Sequence, residues 1–324
     1  MLNELATLCV PHTRPTFHRI EADDRRFADH LIPLEQWDDR GAPFLAVLGV
    51  PQDEGVRRNG GRPGAADAPA AIYNALVKLT TSIGDQSLPP YCPILDCGLL
   101  RTDAATLEDI HVRQQRAVGL LLDWGASVVV FGGGHDTALP NGRALGARSE
   151  RLGIVNVDAH LDVRPRTDEG SHSGSPFREL LEDPACHLHT FVEFGIQPFA
   201  ASAHHVAYVL KHGHTVWMLD AIRRLGIETA IAAVKDQLQR CDAVHLSLDV
   251  DALASAYAPG VSAPVSDGFC PEQMARIITQ IAALSTCRVV DIVEVNPRYD
   301  TDGRTARLAA YFAAHVLWTF AHRV

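Results

Sequence analysis

The sequence predicts an α/β fold of three layers, a central and mainly parallel β-sheet flanked by helices. Short apolar runs alternate along the chain with longer amphipathic ones, which is the pattern of repeated strand–helix units. The apolar runs are rich in Val and Ile and mostly do not alternate with polar residues, as expected of strands covered on both faces. A chain of 324 residues, 47% hydrophobic and 21% charged, can bury a sizeable core.

In order, the elements are as follows. The first forty residues are polar and irregular, and are expected to wrap the edge of a single domain spanning 1–324. No repeat, low-complexity tract or linker divides that domain. The first strand is "FLAVLGV" (44–50). The stretch "RRNGGRPGAADAP" reads as a loop before a helix over 64–79, with Asp67 as N-cap and Pro69 in the first turn. A helix over 106–124 precedes the strand "SVVVFGG" (127–133), and the strands "RLGIVNVDAH" (151–160) and "HTFVEFGI" (189–196) follow. Next come a helix over 201–212, the strand "TVWML" (215–219), a helix over 221–240 and the strand "AVHLSLDVD" (243–251). A helix over 271–284 has apolar residues three and four apart; the strand "RVVDIVEVN" (288–296) and a helix over 305–322 end the chain.

Composition narrows the function. The net charge of −10 carries no basic footprint for nucleic acid. No apolar run is long enough to span a bilayer, and "MLNELATLCVPHTRP" lacks the basic segment and apolar core of a secretory signal. The seven cysteines are scattered with no C-x-x-C pair, which fits free thiols in a reducing cytosol better than structural zinc. A cytoplasmic protein acting on a small molecule is expected, with no membrane or nucleic-acid partner. His187, His189, His204 and His205 read as surface or core-edge residues.

Four apolar strands deliver acids or histidines at their C-terminal ends: "VVVFGGGHD" ends at His135, "IVNVDAHLD" at Asp158, His160 and Asp162, "VHLSLDVD" at Asp249 and Asp251, and "VVDIVEVNP" at Glu294. That edge of a parallel sheet is where ligands bind. Taken singly, each segment has a plainer reading: a turn with an incidental histidine, a solvated loop, a capped helix. Period-two spacing, however, turns Asp158, His160 and Asp162 to one face, where acids left unpaired would cost several kcal/mol each. Two imidazoles and four carboxylates carry too much negative charge for one divalent ion. Two ions, at about +4, balance them, and an oxygen-rich set without thiolate favours Mn2+. Such a pair can share a water and lower its pKa, giving a hydroxide nucleophile.

The segments "GGGHD", "DAHLD", "SLDVD" and "EVNP" resemble, in order and spacing, the signature segments of the ureohydrolases: arginase, agmatinase and formimidoylglutamase. The resemblance covers roughly 44 to 320. It implies the arginase-type fold, two Mn2+ per chain, a homo-oligomer and hydrolysis of a C–N bond at an amidine or guanidine carbon. By the same resemblance, one ion would take His135, Asp158, Asp162 and Asp249. The other would take Asp158, His160, Asp249 and Asp251, so that Asp158 and Asp249 bridge. Glu294 would receive the cationic amidino group.

Three segments look most like formimidoylglutamase: "GVRRNGGRPGAADAPAAI" (55–72), "HSGSPFREL" (172–180) and "FGIQPFA" (194–200). That implies hydrolysis of N-formimidoyl-L-glutamate to L-glutamate and formamide, in histidine degradation. Agmatinase-like members carry a histidine where this chain has Ser173; here His172 lies one residue earlier and is the candidate for moving protons. The two substrate carboxylates call for arginine, whose planar fork binds them in pairs. Arg57, Arg58, Arg62, Arg164 and Arg178 are candidates, with Arg58 and Arg164 first and Ser173 beside them. The alternatives are another ureohydrolase releasing urea from a guanidino compound, or a non-catalytic metal-binding subunit.

Overall fold

The computed structural model describes residues 2–323 apart from 14, 16–23, 39–40, 42, 90–91 and 104. Its strands are β1 (Cys9–Val10), β2 (Leu31–Pro33), β3 (Phe44–Gly49), the hairpin pair β4 (Ser82–Ile83) and β5 (Gln86–Ser87), β6 (Ile94–Leu100), β7 (Ala126–Phe131), β8 (Leu152–Val157), β9 (Leu188–Ile196), β10 (Thr215–Met218), β11 (Ala243–Asp249) and β12 (Cys287–Val293). The hairpin stands apart. The other ten strands form one sheet in the order β1-β6-β3-β7-β12-β11-β8-β9-β10, with β2 also pairing β6. Every pairing in this sheet is parallel except that of β1 with β6.

The helices are α1 (Leu2–Leu8), α2 (Phe27–His30), α3 (Glu54–Arg58), α4 (Ala68–Leu76), α5 (Leu107–Asp123), α6 (Ala138–Gly146), α7 (Pro176–Glu182), α8 (Ala203–Lys211), α9 (Leu219–Leu225), α10 (Ile227–Leu238), α11 (Pro271–Ala282) and α12 (Arg304–His322). They cover both faces. On one, Val129, Phe131, Leu246 and Ile292 pack with residues of α4, α10, α11 and α12. On the other, Val128, Val130, Ile154 and Val289 pack with residues of α5, α6 and α7. Neighbouring strand residues therefore feed opposite cores, which is why the strand sequences are apolar throughout.

The seven expected strands and six expected helical segments all appear, with altered ends. The expected helix over 221–240 is two helices, broken at Gly226, whose φ of 91° favours glycine. Asp67 does occupy the N-cap position of α4, but its side chain makes no capping bond and instead faces Arg298 at 3.3 Å. The first forty residues are less irregular than expected, since α1, β1, α2 and β2 lie among them and β1 and β2 extend the sheet beyond β6. Strand β6 and helices α3, α6 and α7 have no counterpart among the expected elements.

Candidate metal centre

The sheet order explains how four remote segments meet. Strands β7, β12, β11 and β8 are consecutive neighbours, so their C-terminal ends form one rim. His135 opens a short 3-10 turn after β7. Its approach is glycine-only for a packing reason, because a Cβ on Gly133 would lie 1.6 Å from the Gln52 carbonyl oxygen. Strand β8 ends at Val157, three residues earlier than expected. Asp158, His160 and Asp162 thus occupy the turn beyond it, and Asp162 is aimed by a left-handed backbone (φ 46°) rather than by strand alternation. Asp249 ends β11 and accepts the Asp251 N–H at 2.8 Å, which holds both acids in a tight 3-10 turn. Glu294 follows β12, also with positive φ (65°), a strained backbone of the kind found at functional positions.

Two donor clusters result. In the first, His135 Nδ1 stands 3.3 Å from Asp158, 2.9 Å from Asp162 and 3.1 Å from Asp249. In the second, His160 Nδ1 stands 3.4 Å from Asp158 and 3.1 Å from Asp251. Each set offers ligand atoms close enough for one ion: His135, Asp158, Asp162 and Asp249, and then Asp158, His160 and Asp251. Asp158 joins both; Asp249 falls in the first alone. All six side chains expected from the sequence as ligands are therefore brought together.

The donor chemistry fits a cation. His135 Nε2 lies 3.0 Å from Ser247 Oγ, whose own proton goes to Asp291, so Nε2 carries a hydrogen and Nδ1 is the nitrogen turned to the acids. Burial opposes a charge on this ring, but with no ion between them Asp158, Asp162 and Asp249 hold a second proton on it and push it well above the ordinary imidazole range. A lone pair among three carboxylates is repulsive unless a positive charge sits between them. Protonating both imidazoles would still leave four carboxylates against two positive charges, whereas two divalent ions match four carboxylates. Without such ions the acids compete for protons. Burial, and then Asp251 and Asp158, push Asp249 well above the usual carboxylate range. Burial raises Asp251 to about 6, and burial with the Asp251 charge raises Glu294 to about 8.

A cavity of about 300 Å³ opens over the clusters. A larger one, about 520 Å³, lies beside α1 and holds no such cluster among the described residues; chemistry rather than size marks the smaller as the site. Glu294, Arg164 and Ser173 line the smaller cavity, together with Asn59, Arg62 and His205. Glu294 is 5% exposed and one of its oxygens accepts the His135 N–H at 2.8 Å. No hydrogen bond or ion pair from the Arg164 guanidinium is found among the described residues.

Two expected site residues are engaged elsewhere. Arg58 forks onto Glu108 (2.6 and 3.3 Å) and also reaches Glu54 and the Ser171 carbonyl, so its donors are already committed. His172 is buried, with Nε2 on the Pro165 carbonyl at 3.0 Å and Nδ1 accepting the Gly174 N–H at 3.1 Å; it clamps a loop and does not line the cavity. Among the other arginines, Arg57 pairs with Glu54, Arg178 with Glu182, and Arg62 is held by the carbonyls of Val261 and Ser262. His205, read from the sequence as a surface or core-edge residue, is half-buried and lines the cavity. It sits beside His204 outside any motif, and only the position of α8 brings it there.

Comparison with known proteins agrees with this geometry. The profile described as the arginase family matches residues 44–318. A formimidoylglutamase of Geobacillus thermodenitrificans (strain NG80-2) is 37% identical over 299 residues, covering 90% of this chain and 86% of the relative. A crystal structure of Trypanosoma cruzi formiminoglutamase with Mn2+ is 34% identical, with a TM-score of 0.79 over 89% of this chain and 96% of that one. The formimidoylglutamase structure from Bacillus subtilis shares the fold at a TM-score of 0.86 and 23% identity, covering 96% of each chain.

Proposed function

Because this chain belongs to the arginase family, we propose that it is a binuclear manganese hydrolase that converts N-formimidoyl-L-glutamate to L-glutamate and formamide. The observation that carries this reading is the pair of acid–imidazole clusters sharing Asp158 on one cavity floor, in a chain whose curated relatives are formimidoylglutamases.

His135, Asp158, Asp162 and Asp249 would hold one Mn2+, and Asp158, His160 and Asp251 the other. The bound pair supplies charge neutralisation and a water acidic enough to ionise near neutral pH. Glu294 binds the substrate cation. One of its oxygens is kept by the His135 amide, and the other is available to the protonated formimino group in a water-poor site. That pairing holds the planar, electrophilic carbon in place for attack. Arg164 is the cation best supported for a substrate carboxylate, with Asn59 and Ser173 beside it; Asn59 Nδ2 donates to Ser173 Oγ at 3.1 Å.

The departing amino nitrogen of glutamate must gain a proton. With His172 clamped in its loop, His205 is the better-supported carrier. Burial, and then the Arg164 charge, hold its ring below the ordinary imidazole range, so it starts neutral. It would take up a proton as water adds to the formimino carbon and return it to the leaving nitrogen.

We read the enzyme as a cytoplasmic homo-oligomer with one domain over 1–324. The seven free thiols support the compartment and the family resemblance supports the assembly. No helix among the described residues is long and apolar enough to cross a membrane. The deciding experiment is a product assay over formimidoylglutamate, arginine and agmatine. Formamide from the first with little urea from the others is expected; efficient urea release would replace the substrate assignment with a guanidino one.

A further inference from the structure

We infer that a buried polar row beneath the clusters presets His135 for its metal, with Ser247 and Asp291 as positioning residues. The inference rests on reading the clusters as metal sites. The row is Glu193, Asn156, Ser247 and Asp291, and it crosses four adjacent strands in register: Glu193 pairs with Asn156 between β9 and β8, Asn156 with Ser247 between β8 and β11, and Ser247 with Asp291 between β11 and β12. All four side chains are fully buried. Two residues earlier along β8 and β12, the same face carries Ile154 and Val289 in the apolar core. Polar groups there cost free energy unless hydrogen-bonded, so a row of four calls for a reason.

The bonds supply one. Ser247 Oγ donates to Asp291 Oδ1 at 2.5 Å. The other Asp291 oxygen accepts Asn141 Nδ2 at 2.8 Å and lies 2.5 Å from His245 Nε2. Asn141 is fixed in turn by Gln114 Nε2 at 2.7 Å. Asp291 therefore works as an acceptor towards three sides. With its proton committed to Asp291, Ser247 Oγ meets His135 Nε2 as an acceptor, 3.0 Å away. This keeps a hydrogen on Nε2 and turns Nδ1 towards Asp158, Asp162 and Asp249. A ring ligates through an Nδ1 lone pair, so the relay settles which nitrogen is freed for an ion and fixes the ring plane before the ion arrives. At the other end of the row, Asn156 Nδ2 bridges Glu193 (2.8 Å) and the shared ligand Asp158 (3.2 Å). Asp291 does not line the cavity, so its effect on the reaction passes through His135.

The test is titration of the metal-free, full-length chain with Mn2+ alone, by calorimetry and by metal content after desalting. Wild type, Ser247→Ala and Asp291→Asn are compared. Wild type is expected to bind two ions. Each variant should weaken one of the two by roughly 10- to 100-fold while leaving the other nearly unchanged, and excess Mn2+ should restore most of kcat. A merely structural row would lower the melting temperature of the metal-free protein and leave both affinities intact. Affinities for both ions within about twofold of wild type in Ser247→Ala overturn the inference, given the size of effect such partners normally have. Ser247→Ala decides the matter even if Asp291→Asn does not fold. A wild-type protein that took up no Mn2+ would overturn the metal reading itself, and this inference with it.

Discussion

The two donor clusters share Asp158 but are held in different ways. The His135 ring is fully buried, lies edge-on to Phe177 with centroids 5.2 Å apart, and has its far nitrogen on Ser247. The His160 side chain is 27% exposed, and the described contacts of its ring are to Asp158 and Asp251 alone. The first cluster offers four ligands and the second three. A site that is buried, complete and braced from behind should keep its ion, whereas one that is shorter of ligands and open to the cavity should exchange it. The difference suggests that one ion is close to a permanent part of the fold and the other equilibrates with solvent and substrate.

The strongest way to break the comparison is to remove what the clusters share. Asp158→Ala should lose both ions and fall to background activity, because it leaves the remaining carboxylates of both clusters uncompensated. Asp162→Ala removes a ligand from the first cluster only and should leave a partly metallated protein. Metal analysis after desalting checks this; equal metal content in the two variants would contradict the division.

Glu294 tests the boundary between holding metal and holding substrate. Glu294→Gln keeps the size and an oxygen for the His135 N–H but removes the charge. Folding and metal content should stay near normal while kcat/KM falls by roughly 10²-fold, the scale of losing one positioned electrostatic group. Loss of metal with full activity per metallated molecule would make Glu294 structural.

The metal-facing residues were legible in the sequence because their chemistry constrains them tightly. Asp158, His160, Asp249 and Asp251 follow apolar strands at fixed spacing, and no plain core accommodates them there. Other features depend on contacts the sequence does not announce. Arg58 was a reasonable carboxylate ligand until Glu108, fifty residues away, took its donors. His172 looked displaced by one position from a catalytic place, but its ring spans Pro165 and Gly174 within its own loop. Helix α6 was hidden by Pro140, Gly142 and Gly146, poor helix formers; a Cβ on Gly142 would lie 2.7 Å from the end of the Leu180 side chain. Strand β6 was masked by Asp96 and by Gly98, whose φ is 78°.

Substrate binding at the mouth gives a smaller effect. Arg164→Ala should raise KM roughly tenfold with little change in kcat, the size of one charged hydrogen bond lost from ground state and transition state alike. Steady-state kinetics on formimidoylglutamate separate the two constants. An unchanged KM would move the carboxylate site elsewhere on the rim, with Arg62 the next candidate.

The smallest expected effect is a change in the sign of a pH dependence. In the metal-free protein, burial raises Asp251 to about 6 and, with the Asp251 charge, Glu294 to about 8; Asp249 moves the same way. In the unfolded chain these groups titrate near 4. Between about pH 4 and 8 the folded state therefore retains protons that the unfolded state has released, and stability falls as pH rises. Asp158 runs the other way: burial opposes its charge, but the His135 and His160 rings outweigh burial and hold it below the usual range. The stability it contributes is already fully present by pH 5 and does not offset the fall above. The melting temperature with chelator should therefore drop by several degrees from pH 5 to pH 8. Mn2+ replaces the protons and binds the ionised acids, so with saturating Mn2+ the melting temperature should rise over the same interval. Thermal melts at three pH values, with and without metal, make the measurement. A metal-free protein whose stability is flat or rises from pH 5 to 8 would mean that the acids do not need protons or ions to be buried, and the distinction between a braced and an exchangeable cluster would lose its electrostatic basis.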